Sequence, residues 1–258
     1  GKTRGMFYPQ GSYGKKSWGK HGPLTNPYAF GYFHHMNHDG DDRRFAQAFT
    51  IEEGGLFKGE AAGRIIAPNS LHNVVWSSRL ERNGSTYQTI DETNLVETDD
   101  RWFRPVYAGL GPDGAVYIAD WYDTRLSHVS PIDDWHKSSG RVYRLLPKGA
   151  KAEYVQGDLR DKSADELVDL FSHPNRSVRR RALLELGWSR DLSITPRLET
   201  LVEKNLGQIS LEALWALNLL GALDDEGLAG WITHEDPDIR RWCVRLAGDR
   251  RSSAAVLK

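Results

Sequence analysis

Two stretches of the chain concentrate side chains able to do chemistry. The first, His34-His35-Met36-Asn37-His38-Asp39-Gly40-Asp41-Asp42, holds three His and three Asp within nine residues. Imidazole beside carboxylate suits zinc or another transition metal, whereas Asp39, Asp41 and Asp42 alone suit calcium, which takes oxygen ligands. His34, His35, His38 and Asp39 are therefore candidate metal ligands. Their spacing matches no metal motif, and Asp39-Gly40-Asp41 lacks the later carboxylate of an EF-hand loop. The same residues also read as a polar turn after the aromatic run Tyr28-Ala29-Phe30-Gly31-Tyr32-Phe33. The second stretch is a polar, aromatic-rich loop of about nineteen residues from Trp121 to Ser139. Loops of that length in a compact β domain usually carry function or meet a partner. Asp120 and Asp123 at its start form a carboxylate pair of the kind hydrolases use, which requires carboxyls roughly 5 Å apart across a cleft. The plain alternative has Asp120 capping a strand end while Trp121 and Tyr122 pack.

Two other groupings are weaker. Gly11 to Gly22, with Lys15, Lys16, Lys20 and His21, lacks both the Gly-Lys-Ser/Thr ending and the preceding apolar strand of a phosphate loop. Arg176, Arg179, Arg180 and Arg181 form a basic run that Arg240, Arg241 and Arg245 echo. Neighbouring acids such as Glu185, Asp236 and Asp238 favour ion pairing between repeat units over phosphate binding, so no nucleic-acid partner is expected.

The elements that must position these residues change character along the chain. Gly63-Arg64-Ile65-Ile66-Ala67-Pro68 reads as a short strand ended by Pro, and Asn73-Val74-Val75-Trp76 as another. The clearest strand, Ala115 to Asp120, leaves the turn Gly111-Pro112-Asp113-Gly114, where Pro presets φ and Gly tolerates positive φ. A second strand follows at Gly140-Arg141-Val142-Tyr143-Arg144-Leu145. The long loop thus hangs between two adjacent strands.

Beyond Lys148-Gly149-Ala150-Lys151 the pattern becomes helical. Ser163-Ala164-Asp165-Glu166 has the form of an N-cap with acids in the first turn, followed by Leu167, Val168, Leu170 and Phe171 at helical spacing. The stretch from Ser172 through His173-Pro174-Asn175 to Ala182 recurs from Thr233 through His234 to Cys243, an offset of 234 − 173 = 61 residues. Ala213 to Gly221 matches the tail of the same unit halfway between, so the period is about 30 residues, that of a helical solenoid. Asn175 and Asp236 to Asp238 are the expected N-caps, Val178, Ala182, Leu183 and Leu186 the buried stripe, and Gly187, Gly221 and Gly248 the expected helix ends. The expected organisation is a multidomain β + α chain: a β-rich half over residues 1–147, a linker over 148–162 and helical repeats over 163–258.

Composition sets wide bounds. Hydrophobic residues at 39 % and charged residues at 27 %, with 34 basic against 35 acidic, are those of an ordinary globular chain. Neither a nucleic-acid nor a membrane partner is signalled, and no apolar stretch is long enough to span a bilayer. Nine Trp load the sequence with aromatic surface suited to sheet packing or a carbohydrate face. The single cysteine, Cys243, excludes an internal disulfide and a Cys-x-x-Cys-His haem attachment within these residues.

Trp102-Phe103-Arg104-Pro105-Val106, the run Gly111 to Asp123, and Gly140 to Leu145 resemble the PVC-type membrane-bound dehydrogenase family. Ser127-His128, Trp135-His136-Lys137 and the helical units add to the likeness. The resemblance implies a six-bladed β-propeller similar to soluble quinoprotein glucose and sorbosone dehydrogenases, followed by HEAT repeats and often a c-type cytochrome segment. At about 40–50 residues per blade the β-rich half supplies roughly three blades, so it is expected to be the C-terminal part of a propeller. The resemblance implies pyrroloquinoline quinone and calcium as cofactors. His128 or His136 is then the base that takes a hydroxyl proton, with Asp123 orienting it or joining Asp120 on calcium. Arg104, Arg125 and Lys137 hold the quinone carboxylates, with Trp121 beside them. It further implies a sugar or polyol substrate, a periplasmic or secreted location, and a cytochrome or other protein partner reached through the HEAT array. The rival expectation is a non-catalytic module whose Trp102, Trp121 and Trp135 grip a glycan while the solenoid grips a protein.

Overall fold

A computed structural model describes residues 4–9, 11–15, 28, 30–43, 49–58, 62–124, 136, 138–152, 154, 155 and 157–251. The chain divides into two compact units, Gly1–Ala152 and Glu153–Lys258. That division falls inside the 148–162 stretch. The helical unit reaches back before Lys162, because a 3-10 helix at Leu159–Asp161, capped by Asp158, sets Leu159 against the helical core.

In the first unit the described strands form three sheets. β1 (Tyr13–Gly14) and β2 (Tyr32–Phe33) are a short parallel pair. β3 (Asn37–Asp39), β4 (Thr50–Ile51), β5 (Ile65–Asn69), β6 (Val74–Asn83) and β7 (Thr86–Glu97) build a sheet of order β3-β7-β6-β5-β4, in which β4 to β7 run as an antiparallel meander and β3 joins β7 in parallel. β8 (Pro105–Leu110), β9 (Val116–Asp120) and β10 (Arg141–Leu145) form a second antiparallel meander. Among the described residues these sheets close into no barrel or ring.

β5 reads as a continuous apolar run because both of its faces are covered. Ile65 and Ala67 join Met36, Val74 and Trp76 on one side, while Ile66 joins Val75, Phe103, Ala108, Val116 and Ile118 on the other. Pro68 does not end this strand but pairs with Val75 inside it. The long β6–β7 hairpin, turned at Gly84-Ser85 with Gly84 at φ 61°, extends the strand expected at Asn73–Trp76 and adds a second strand with no counterpart in the sequence expectations. The turn before β9 meets the loop after β4 so closely that a Cβ on Gly54 would lie 2.3 Å from the Gly114 carbonyl oxygen. Only glycine permits that approach.

The second unit packs α1 (Ala164–Asp169), α2 (Arg176–Ser189), α3 (Thr195–Lys204), α4 (Gln208–Leu220), α5 (Asp225–Trp231) and α6 (Pro237–Arg250) around one core that includes Phe171, Leu186, Leu198, Leu214, Leu228 and Ile239. Ser163 and Glu166 close a reciprocal capping box on α1. The 61-residue repeat is a repeated hydrogen-bond device. His173 Nδ1 accepts the Asn175 N–H at 3.0 Å, Asn175 caps α2, and Arg179 returns to donate to the carbonyls of His173 and Pro174 at 2.8 and 3.0 Å. His234, Asp236 and Arg240 repeat it at 3.0, 2.7 and 2.8 Å. Each orphan donor and acceptor of the tight turn is thus satisfied locally.

The helix ends differ from expectation. Gly221 ends α4 in the left-handed region, but Gly187 and Gly248 lie inside α2 and α6. The left-handed caps of those helices are Arg190 and Arg251, at φ 53° and 54°. Gly187 serves packing instead, since a Cβ there would meet the Leu219 Cβ at 3.1 Å. Charge is uneven among the helices. α1, α3 and α5 carry Asp165, Asp169, Glu199, Glu203, Asp225 and Glu226, while α2 and α6 carry most of the arginines, although α2 also holds Glu185 and α6 also holds Asp238 and Asp249. No described helix is long and apolar enough to cross a membrane.

Candidate functional site

The register of β8 against β9 sets Pro105 opposite Asp120, and the Trp121 N–H closes the pair onto the Arg104 carbonyl at 2.9 Å. Beyond this point the chain must leave the sheet. Asp120, 4 % exposed, turns inward and its Oδ1 accepts the N–H groups of Arg104 and Tyr122 at 2.8 and 2.9 Å. Tyr122 adopts φ 55°, which reverses the chain so that Asp123 also points in, while Trp121 between them points out. The Trp121 indole N–H donates to Asp123 Oδ2 at 3.3 Å although the residue is 55 % exposed.

Around this reversal lies an aromatic group. Trp102 stacks on Tyr122 with centroids 5.9 Å apart, and the His136 ring sits 4.7 Å from Trp102 and 6.3 Å from Tyr122. The Arg141 guanidinium lies over the Tyr122 ring at 3.9 Å, and His136 Nδ1 pairs with the Ser139 hydroxyl at 2.8 Å. Arg141 reaches Tyr122 because β10 pairs it with Asp120 across the sheet. Burial, followed by the Asp120 charge, pushes the Tyr143 phenol up.

Arg104 lies under this surface rather than in it. It is 6 % exposed, and its guanidinium donates to the carbonyls of Phe103 and Thr124 at 3.0 and 3.4 Å. Burial pulls its pKa down, against the upward pull of Asp123 and Asp120. The structure therefore brings Arg104, Asp120, Trp121, Asp123 and His136 to one end of one sheet. Arg125, His128 and Lys137, like Trp135, lie outside the described residues. Among the described residues no carboxylate hydrogen-bonds His136, and Asp120 is engaged with backbone. Asp113 is structural: it accepts from the Ala115 N–H, Tyr117 hydroxyl and Arg144 at 3.2, 3.0 and 2.7 Å.

The histidine-rich stretch lies on the other meander and does not converge on a point. His34 and His35 are exposed, and His34 Nε2 faces the Lys15 ammonium at 3.2 Å. In β3 the alternation sends Asp39 outward and His38 inward, where Nε2 meets the Asp41 carbonyl at 2.8 Å and Nδ1 lies 3.8 Å from Asp91. Among the described residues no group of three His, Cys, Asp or Glu is placed to hold a metal ion. The centre of this region is Asp91, which accepts from Arg4, from the Ser78 hydroxyl at 2.7 Å and from the Asp41 N–H at 3.1 Å. Arg4 also lies over the Trp76 ring at 3.6 Å. Neither Arg4 nor Asp91 carries a local sequence signal, because they meet across 87 residues. Tyr122 and Arg141 were legible only through the pairing of β9 with β10.

Comparison with known proteins gives one likeness. A family model described as a domain of unknown function, DUF7133, matches residues 28–149, which include both meanders and the whole Trp121–Ser139 loop. No curated protein and no solved structure matches the chain, and its β-rich unit is similar to DUF7133.

Proposed function

We propose that the open end of the β8–β9–β10 sheet binds carbohydrate, and that the two meanders are blades of a propeller-type domain followed by three HEAT-like helix pairs. The observation that carries the binding reading is Trp121, more than half exposed yet held in one orientation by the buried carboxylate of Asp123. An exposed indole fixed before the ligand arrives loses little conformational freedom on binding, and its face suits the C–H surface of a sugar ring. Trp102, Tyr122 and His136 extend the aromatic surface, and Arg141 and Ser139 add donors at its rim.

The quinone-dependent dehydrogenase reading finds less support in the described residues. Pyrroloquinoline quinone and calcium need accessible cations and free carboxylate oxygens. The Arg104 guanidinium is buried on two carbonyls, and one oxygen of Asp120 is committed to two backbone N–H groups.

Titration of the full chain with a panel of neutral and acidic oligosaccharides, followed by tryptophan fluorescence and calorimetry, tests the binding reading. At least one glycan should bind, and Trp121→Ala should weaken it about tenfold, the loss of one ring contact worth roughly 1.4 kcal/mol. Absence of binding across the panel, or unchanged affinity in Trp121→Ala, overturns it. Reduction of a dye by sugar in the presence of pyrroloquinoline quinone and calcium would replace it with the dehydrogenase reading.

A further inference from the structure

The helical unit carries a second surface, independent of the sheet end. Between the C-terminal halves of α2 and α4 runs a groove of about 580 Å³. Its floor is the close approach of Gly187 to Leu219, and its walls include Trp188, 62 % exposed, and Leu219, 46 % exposed. A large apolar ring left in water beside a groove is the unusual feature. Arg190, the left-handed cap of α2, lines the same groove, the Arg181 guanidinium lies over the Trp188 ring at 5.2 Å, and Arg180 is the next exposed cation back along α2.

The charges around it are unbalanced. Arg181, Arg197, Arg241 and Arg245 each pair with a carboxylate of their own unit, whereas among the described residues Arg180 and Arg190 make no ion pair. The acids nearest to Arg180 and Arg190 in sequence are already engaged, Glu185 by Arg181 and Asp191 as the cap of the 3-10 turn that follows α2. The left-handed cap position of α2 holds Arg190, where α4 has Gly221 and α6 has Arg251.

We propose that this groove docks a segment of another protein that presents one bulky apolar side chain next to a carboxylate. The apolar group seats against Trp188 and Leu219, and the carboxylate meets Arg190, with Arg180 adding to the attraction. A basic or uniformly polar segment lacks both complements.

The test is selection of random twelve-residue peptides displayed on phage against the full chain, with counter-selection on Trp188→Ala. Enriched peptides should combine Leu, Phe or Trp with an adjacent Asp or Glu. Their affinity, read by fluorescence anisotropy of the labelled peptide, should fall about tenfold in Trp188→Ala and in Arg190→Gly, and should weaken further as salt is raised. Arg190→Gly separates docking from folding, because glycine is the better residue for that backbone. Arg251→Gly, the same change at the cap of α6, should leave affinity unaltered. No enrichment, enrichment of basic or carboxylate-free peptides, or full affinity in Arg190→Gly overturns the proposal.

Discussion

The two units satisfy their buried polar groups in opposite ways. In the helical unit one recurring set of partners is near in sequence: the device of His173, Asn175 and Arg179 closes within six residues, and His234, Asp236 and Arg240 repeat it. In the β-rich unit they are far apart. Arg4 meets Asp91 across 87 residues, Asn73 meets the Phe103 carbonyl across 30, and Arg144 meets Asp113 across 31. Local closure repeats wherever the sequence repeats. Distant closure exists only once the sheets have assembled, so its loss should be felt by a whole meander.

Several pairs run against this contrast, such as His234 with the Val202 carbonyl and Arg250 with Asn218, each across 32 residues, and a buried ion pair offers the strongest way to break it. Arg179 and Glu212, both nearly buried, meet at 3.3 Å across 33 residues and join α2 to α4. Burial pushes Glu212 up, opposed by Gln208 and Arg179. Glu212→Ala strands a guanidinium that cannot give up its proton and should cost the helical unit about 3–5 kcal/mol. Arg179→Met also removes the bonds to the His173 and Pro174 carbonyls, so Glu212→Gln, which keeps those bonds and an oxygen for Arg179, is the variant that should cost less. Urea unfolding monitored by alkylation of Cys243 reads this unit alone. The thiol is buried, its pKa is pushed up to about 11 by that burial, and it is the chain's one cysteine. Equal costs for the two Glu212 variants would show that the pair adds nothing beyond local caps.

The β-rich unit offers a pH test. Glu52 is 1 % exposed, one of its oxygens accepts the Gly54 N–H at 2.9 Å, and the other is buried without a partner. Burial raises its pKa above the ordinary 4.5, against the Gly54 and Gly63 N–H groups. A raised folded-state value means that the stabilisation is fully present below the unfolded pKa and is lost as pH rises through the folded one. Unfolding of the β-rich unit, followed by tryptophan fluorescence between pH 4 and pH 7, should therefore show the chain losing stability relative to Glu52→Gln as pH rises. A constant difference would mean that Glu52 has a partner in solution.

The smallest effect belongs to the helix caps. Arg190→Gly and Arg251→Gly each remove the cost of a side chain in the left-handed region and should each stabilise the helical unit by about 0.5–1 kcal/mol. Thermal melts of the two single variants and their double test this, with additive gains expected for sites so separated. A loss in either variant would mean that the arginine side chain contributes more than its backbone costs.

The legible parts of this protein were those with short-range causes. Ser163 with Glu166, Asn175 and Asp236 cap their helices as their types and spacing require, and the turn Gly111 to Gly114 launches β9. Gly187 misled because glycine can admit a neighbour as well as end a helix, whereas Gly248 lies within α6 with open space where a Cβ would be. The β6–β7 hairpin left a readable trace in Gly84-Ser85, but β7 is polar along both faces and its alternation is faint. At the candidate site, the loop and its Asp120, Trp121, Asp123 and His136 could be picked out by type. Which of them face inward could not.

By itself the sequence determined the change from β to helical structure, the 61-residue repeat and the caps, because hydrophobic period, cap chemistry and turn residues act within a few residues. Only the tertiary structure decided that Arg104 and Asp120 are buried supports while Trp121 remains an exposed, fixed face, and that Asp91 gathers Arg4, His38 and Ser78. Burial and ion pairing depend on which surfaces meet when sheets and helices pack, and that is a property of distances in space rather than along the chain.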